Sequence, residues 1–566
     1  KESLVSDSII TSTTGNGIEL IGNSTITGST ITGANYGIYI NNSNTTLNLG
    51  ENDDNVTKDK PIVIGGKYGL YVQSGIVNLY DGIFKGKTEG HSGTITNMPD
   101  GYTLTSDEEV INEEVYKTEY LKENIKFLQV GEKTYNTIDK AIAEAKTTGN
   151  DIILISDATT TSDGTVDSES EITLDLNGHT LNISNSIKNN GTLTIKDGSE
   201  NNSGNLVCGS KSSSIYAINS TGKLTLDKVN ISGWNLIYAG GPTEITGGTL
   251  TTSSTDTSYG INTNSTLNIT GTKFNMSSNS YGIYGNADVE AENITMIGNY
   301  ESNGYETNGI YMKNGKLTLK NAELTNSQIQ LDSNTTGEIV GGSVTTLHTT
   351  LYSKASKLTI NGVKLKSTSN SYYDRGVQIN SGEVNITDTS ITSSSGYATL
   401  YIESAGSVTL DNSSIENDNN VAISNNGKSL NIGIDDGNIN SNSPVIIGKT
   451  YGVSGGGKVN FNDGIVKGIT GAFSSSPSSI GTDVDVVEDI EMIGEDTYQI
   501  TYATKLEVLV KNNSKEYKNL QTAINESSDG DELEIIRDVS TYYDVLIPAE
   551  KKVVIDTNGY TFNAAK

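Results

Sequence analysis

The chain carries 566 residues, of which 34% are hydrophobic, and its 68 acidic side chains against 38 basic ones leave a formal net charge of −30. That balance argues against a nucleic-acid partner, which needs a basic face to neutralise phosphates, and against an electrostatic hold on anionic lipid. It reads as the solvation of a large surface, with divalent-cation binding as the sharper alternative.

Cys208 is the single cysteine, so no intrachain disulfide can form, and no run of about 18 apolar residues offers a membrane span. Low hydrophobicity with high charge would alone suggest disorder. Regular alternation of apolar residues inside recurring phrases argues for strands instead. Six prolines and 61 glycines suit a sheet protein with many tight turns. The chain opens at Lys1 rather than Met and reads as a processed form or as the ordered part of something longer.

Residues 1–90 hold strand phrases such as NYGIYINN (35–42), PIVIGGKYGLYV (61–72) and NLYDGIFKGKT (78–88). They read as the C-terminal part of a solenoid module. Residues 91–130, with VYKTEYL (115–121), read as a small β connector. A complete module spans 131–470. It opens on TYNTIDKAIAEAKTTG (134–149), where Ile138, Ala141, Ile142 and Ala145 recur at helical spacing before a Gly stop. This cap helix leads through DIILISD (151–157) into LDLNGHTLN (174–182).

Repeated units follow, including GKLTLDKVNISG (222–233), GKLTLKNAELTN (315–326), GEVNITDTSITS (382–393) and GSVTLDNSSIEN (406–417). A second connector, 471–512, contains TYQITYA (497–503). Residues 513–566 carry another cap helix, in NLQTAINESSDGDELEIIRD (519–538), and one further coil.

Two periods organise these elements. The short one is roughly 20 to 29 residues, with apolar residues alternating against Thr, Ser, Asn and Lys. Three short strands per unit make one coil of a parallel β-solenoid, which must stack on its neighbours to bury its apolar stripe. About a dozen coils between 170 and 470 would build a rod of roughly 60 Å. The long period is near 382: Pro61 recurs as Pro444, Tyr135 as Tyr517 and Asp175 as Asp556. Cap, coils and connector therefore repeat as one cassette. The expected fold class is all-β, with right-handed parallel β-helix modules in tandem, each with a capping α-helix and joined by β connectors.

The helix-then-DLNGHTL opening, followed by GTLTI (191–195) coils, resembles the right-handed parallel β-helix of the pectate-lyase-like superfamily. More narrowly, the chain resembles repetitive, Asn/Thr/Ser-rich secreted surface proteins of Gram-positive anaerobes. The first resemblance implies a place to look for chemistry: lyases use Ca²⁺ on carboxylates with an Arg or Lys base, and hydrolases use clustered aspartates with His and an Arg–Lys pair.

The candidates are few. His91, His179 and His348 are the histidines; Arg375 and Arg537 are the arginines. His179 sits in NGHT, but the next cassette has NGYT with Tyr560, so the position reads as structural. Arg375 stands apart from the histidines in sequence and reads as a surface residue. The paired acids Asp53–Asp54 and Asp435–Asp436 recur in both cassettes and are the only Ca²⁺ candidates. They supply too few of the six to eight oxygens the ion wants, and Asx-turn chemistry explains them without metal. No GxSxG, HExxH, P-loop or CxxC is present.

Among the 29 tyrosines, Tyr36, Tyr68, Tyr259, Tyr281 and Tyr451 share a YG phrase. They would either stack on sugar rings or form a ladder of like residues, which parallel coils create automatically.

These features point to a non-catalytic rod or stalk of an extracellular bacterial surface fibre, with no cofactor. Its partners would be further modules of the same polypeptide or copies of itself. The copies would stack head-to-tail through open coil ends, since 1–90 has coils without a cap and 513–566 has a cap with barely one coil. The alternative is an adhesin binding a host or glycan ligand along the solenoid face. A coil interrupted by a long aromatic loop would favour it, and none is read. A polysaccharide lyase or hydrolase is the distant alternative.

Overall fold

The computed structural model describes residues 2–53, 55–99, 101–160, 164–254, 256–299, 307–541 and 545–564. The chain divides into two compact units, 1–164 and 165–566. That division falls inside the sequence cassette, whose boundaries came from the long repeat rather than from contacts.

The chain is a parallel β-solenoid. In the second unit, strands three positions apart in chain order pair in parallel, so three ladders run side by side. One ladder passes through Thr192–Lys196, Lys223–Asp227 and Thr243–Thr246, and its inward column runs from Ile195 through Leu226, Ile245 and Ile269 to Ile360, Ile386, Leu410 and Phe461, all buried. Every step is in register, as in Leu226↔Ile245 and Ile386↔Leu410. Period two puts one residue in the core and the next in water. Corners are turned by residues with left-handed backbone, and one recurs per coil: Lys228, Gly247, Gly271, Asn293, Asn321, Gly341, Gly362, Asp388 and Asn412. Asn, Asp and Gly dominate there because they tolerate that conformation.

The first unit repeats the arrangement with fewer coils. Ser3–Ser6, Ser24–Thr27 and the ends of Tyr36–Leu49 and Tyr68–Leu79 form one ladder, and Ile9–Ser12, Thr30–Gly33, Ile62–Gly65 and Ile83–Gly86 form another. Its core holds Ile26, Ile31, Ile38, Leu47, Leu70 and Val77.

Each connector is a β-hairpin with a function its sequence did not disclose. In the first unit, Tyr102–Ile111 and Glu114–Glu123 pair antiparallel, and the second of them lies antiparallel on the last rung, Ile83–Gly86. In the second unit, Val484–Ile493 and Asp496–Lys505 pair likewise, and the second lies antiparallel on Ile465–Gly468. Tyr120 opposes Ile83, and Tyr502 opposes Ile465. An antiparallel strand satisfies the rung and ends the parallel stack, which is one solution to the exposed-edge problem.

The helices occupy equivalent places in the two cassettes. α1 (Ile138–Thr148) is capped by Thr137, whose hydroxyl accepts from the Lys140 N–H, and stops at left-handed Gly149. It buries Ile138, Ala141, Ile142 and Ala145. α2 (Leu520–Glu526) is capped by Asn519 and packs Leu520, Ala523 and Ile524 with Leu509, Val510, Leu533 and Ile535. Leu533 then pairs in parallel with Ile555, so the first rung of the next coil forms directly beside α2.

Candidate functional site

The tyrosine face is built by glycine. In Tyr36–Gly37–Ile38–Tyr39 the two rings are half-buried outside while Gly37 and Ile38 are buried. A Cβ on Gly37 would stand 2.7 Å from the Gly69 carbonyl of the next coil. The glycine lets the coils close, and the bend it allows puts both tyrosines on one face. Tyr36 stacks on Tyr68 at 6.0 Å and Tyr39 on Tyr71 at 5.5 Å. In the second unit Tyr259 stacks on Tyr281 at 5.4 Å. Four of the five tyrosine candidates are thus rungs of ladders, while Tyr451 opposes Gly471 rather than a ring.

A second set of rings was missed: Tyr39 and Tyr71 in the first unit, and Tyr238, Tyr284 and Tyr311 in the second. For Tyr39, Tyr71 and Tyr284 the signal is the second Tyr of the YGxY phrase, whereas Tyr238 ends NLIY and Tyr311 ends NGIY. Burial pushes the Tyr259 hydroxyl upward, and burial with Asp332 beside it pushes Tyr311 up to about 12.

The acidic turns are occupied by protein donors. Asp53 accepts from the Asn55 N–H at 3.1 Å, and Asp54 lies outside the described residues. Asp435 accepts from the Thr482 N–H at 2.8 Å and hydroxyl at 3.2 Å. Asp436 accepts from the N–H and side-chain amide of Asn438, which hold its carboxyl below the ordinary range. Among the described residues no three His, Cys, Asp or Glu side chains gather into a metal-sized cluster.

The consequential acids are instead Asp81 and Asp463, in YDG and NDG. Asp81 accepts from the N–H groups of Thr57, at 2.5 Å, and Glu51, at 3.0 Å. Asp463 accepts from the Asn440 N–H at 2.6 Å, and its burial, with Asp436 and Asp411 nearby, pushes its carboxyl upward. Each pins the long loop before a cis X-Pro bond, at Pro61 and at Pro444. Their recurrence at one offset was the available signal.

The ring at position 179 is carried on a turn. The His179 N–H donates to the Leu176 carbonyl at 2.8 Å across left-handed Asn177 and Gly178. Tyr560 repeats this with Thr557, Asn558 and Gly559. The Asp175 and Asp556 carboxylates accept from Asn177 and Asn558 in the same way. His91 pairs with Glu119 on the hairpin. His348 Nδ1 lies 2.8 Å from Asp374, and the Ser369 hydroxyl donates to that same carboxylate oxygen. A hydrolytic relay needs the serine on the opposite ring nitrogen, so this is not that geometry. Arg537 pairs with Asp485 at 3.3 Å, tying the cap to the hairpin, and a groove of about 820 Å³ lined by Phe473, Val484, Leu509 and Lys518 lies beside this contact.

Arg375 is the centre of a cluster that sequence reasoning did not assemble. Its guanidinium lies over the rings of Tyr397 and Tyr401, 4.7 and 5.0 Å from their centroids, and donates to the Tyr373 carbonyl. Tyr372 meets Tyr397 edge-on at 5.3 Å. Tyr372 and Tyr373, on the loop before the strand Arg375–Thr387, are 58% and 83% exposed. The neighbouring Asp374 is the residue that holds His348. The loop is aromatic but short: it keeps the coil length near the repeat period and is no long insertion.

No family model matches the chain, and no curated protein matches it. Among solved structures, a double mutant of the periplasmic alginate epimerase AlgG is similar at 11% identity and a TM-score of 0.23, covering 58% of this chain and 76% of that one. An activity does not transfer at such a distance, because one fold hosts many functions. Among the described residues no helix is long and apolar enough to cross a membrane.

Proposed function

We propose that the chain is a stretch of a non-catalytic rod at a bacterial cell surface, lengthened by repeating one cassette. The observation that carries this reading is the recurrence, about 382 residues apart, of a coil stack ended by an antiparallel hairpin and followed by a capping helix. Such a unit can be added without creating an open rung inside the polypeptide. The partners are further cassettes of the same polypeptide or copies of the chain stacked end to end, and the Asn/Thr/Ser-rich composition resembles that of repetitive secreted surface proteins. Immunogold labelling of intact cells tests it: deleting one cassette must bring a distal epitope closer to the wall by one cassette length. Unchanged distance, or label only inside the cell, refutes the reading. Release of unsaturated or reducing sugar ends from polysaccharides by the purified chain would restore the enzyme alternative.

Adhesion along the solenoid face is the second reading, and the exposed Tyr372–Tyr373 loop favours it.

A further inference from the structure

We infer that the Tyr372–Tyr373 loop, with Tyr397 and Tyr401 around Arg375, is a binding platform for the pyranose rings of a neutral glycan.

The loop is held rather than loose. The Ser371 N–H donates to the Ser369 hydroxyl at 3.0 Å and the Tyr373 N–H to the Ser371 hydroxyl at 3.2 Å. From the next coil, the Gly396 N–H reaches the Ser371 carbonyl at 3.2 Å and the Ser395 hydroxyl reaches the Asp374 carbonyl at 2.6 Å. A Cβ on Gly396 would stand 3.1 Å from the Tyr372 nitrogen, so the loop lies directly on that glycine. The loop backbone is thereby fixed with two aromatic rings in water, 58% and 83% exposed. A preformed aromatic surface binds with less ordering cost than a mobile one, and flat rings with a phenol edge suit ligands that offer both C–H faces and hydroxyls.

Size and charge select the ligand. Between Ile297 and Ile434 no other large hydrophobic side chain among the described residues is exposed. The apolar patch is therefore two rings wide, far below the roughly 800 Å² per partner of a standard protein interface. Arg375 spends its charge on two ring faces and a carbonyl, leaving no dedicated cation for a carboxylate or sulfate. A chain of net charge −30 also repels acidic polymers.

This inference deepens the adhesion reading and is independent of the rod reading. The test is calorimetry of the full chain with maltohexaose, cellohexaose and mannohexaose. We expect saturable binding to at least one of them that is unchanged in 0.5 M NaCl. It should weaken at least tenfold in Y373A and vanish in Y372A/Y373A, while Y451A binds as wild type. Near-ultraviolet circular dichroism with unchanged melting separates loss of binding from loss of fold. No binding to any of the three overturns the inference. Binding that survives Y372A/Y373A also overturns it, but leaves adhesion elsewhere on the face. Binding that 0.5 M NaCl abolishes also overturns it, in favour of an electrostatic site.

Discussion

Substituting Ala503 by proline tests whether the connector hairpin closes the coil stack. Ala503 is fully buried, and its N–H donates to the Gly464 carbonyl at 3.0 Å, just before the last rung. Proline removes that donor. Leaving the buried Gly464 carbonyl without its partner costs about 1–3 kcal/mol. Fitting the ring into filled space adds about 1–3 kcal/mol. The sum, about 4 kcal/mol, is enough to detach the hairpin locally and expose the rung Ile465–Gly468, whose Val466 is fully buried. An uncovered rung is a template for pairing with another chain. A503P should therefore melt earlier and scatter more light than wild type at micromolar concentration, while A503G, which keeps the N–H, scatters as wild type. Leu121 is the equivalent position in the first cassette, and L121P should behave alike. An A503P that scatters and melts as A503G does refutes the edge cover.

Three other outcomes follow from the same geometry. Burial opposes ionisation of Asp197, but the N–H groups of Gly204, Ser199 and Gly178 outweigh it and hold the carboxyl below its ordinary 3.8. Its contribution is then present above pH 3.8 and lost as pH falls through the lowered value, so D197N should destabilise at pH 7 and converge with wild type in strong acid, as followed by denaturant titration. G37A must push a Cβ against the Gly69 carbonyl 2.7 Å away and should cost about 1–3 kcal/mol, read as a lower melting temperature. With Asp435 and Asp436 already bonded to Thr482 and Asn438, 1 mM Ca²⁺ or EDTA should leave the melting temperature unchanged. A rise with Ca²⁺ would reinstate the cation reading.

The coils were legible because their physics is local. Alternation in KLTLD or KLTIN places leucine and isoleucine inward, and a Gly, Asn or Asp every turn supplies the left-handed corner. Comparison of cassettes also aligned His179 with Tyr560, and the two rings sit on the same turn. What stayed hidden depends on distance along the chain. Nothing in VYKTEYL says that its strand will lie antiparallel on Ile83–Gly86, because a hairpin's own pattern does not name its docking edge. Asp81 and Asp463 looked like ordinary Asp-Gly turns, and only burial reveals them as acceptors for a loop that begins some 30 residues earlier. The Arg375 cluster gathers residues from neighbouring coils, which sequence order separates.

The central claim is that the cassette is a self-terminated length of solenoid. Electron microscopy of purified arrays carrying one, two and three copies of the 382-residue period tests it most directly. Particle length should rise by a constant increment of at least roughly 60 Å per copy, the stacking distance of about a dozen coils. Equal lengths, or particles that widen instead of lengthening, would contradict it.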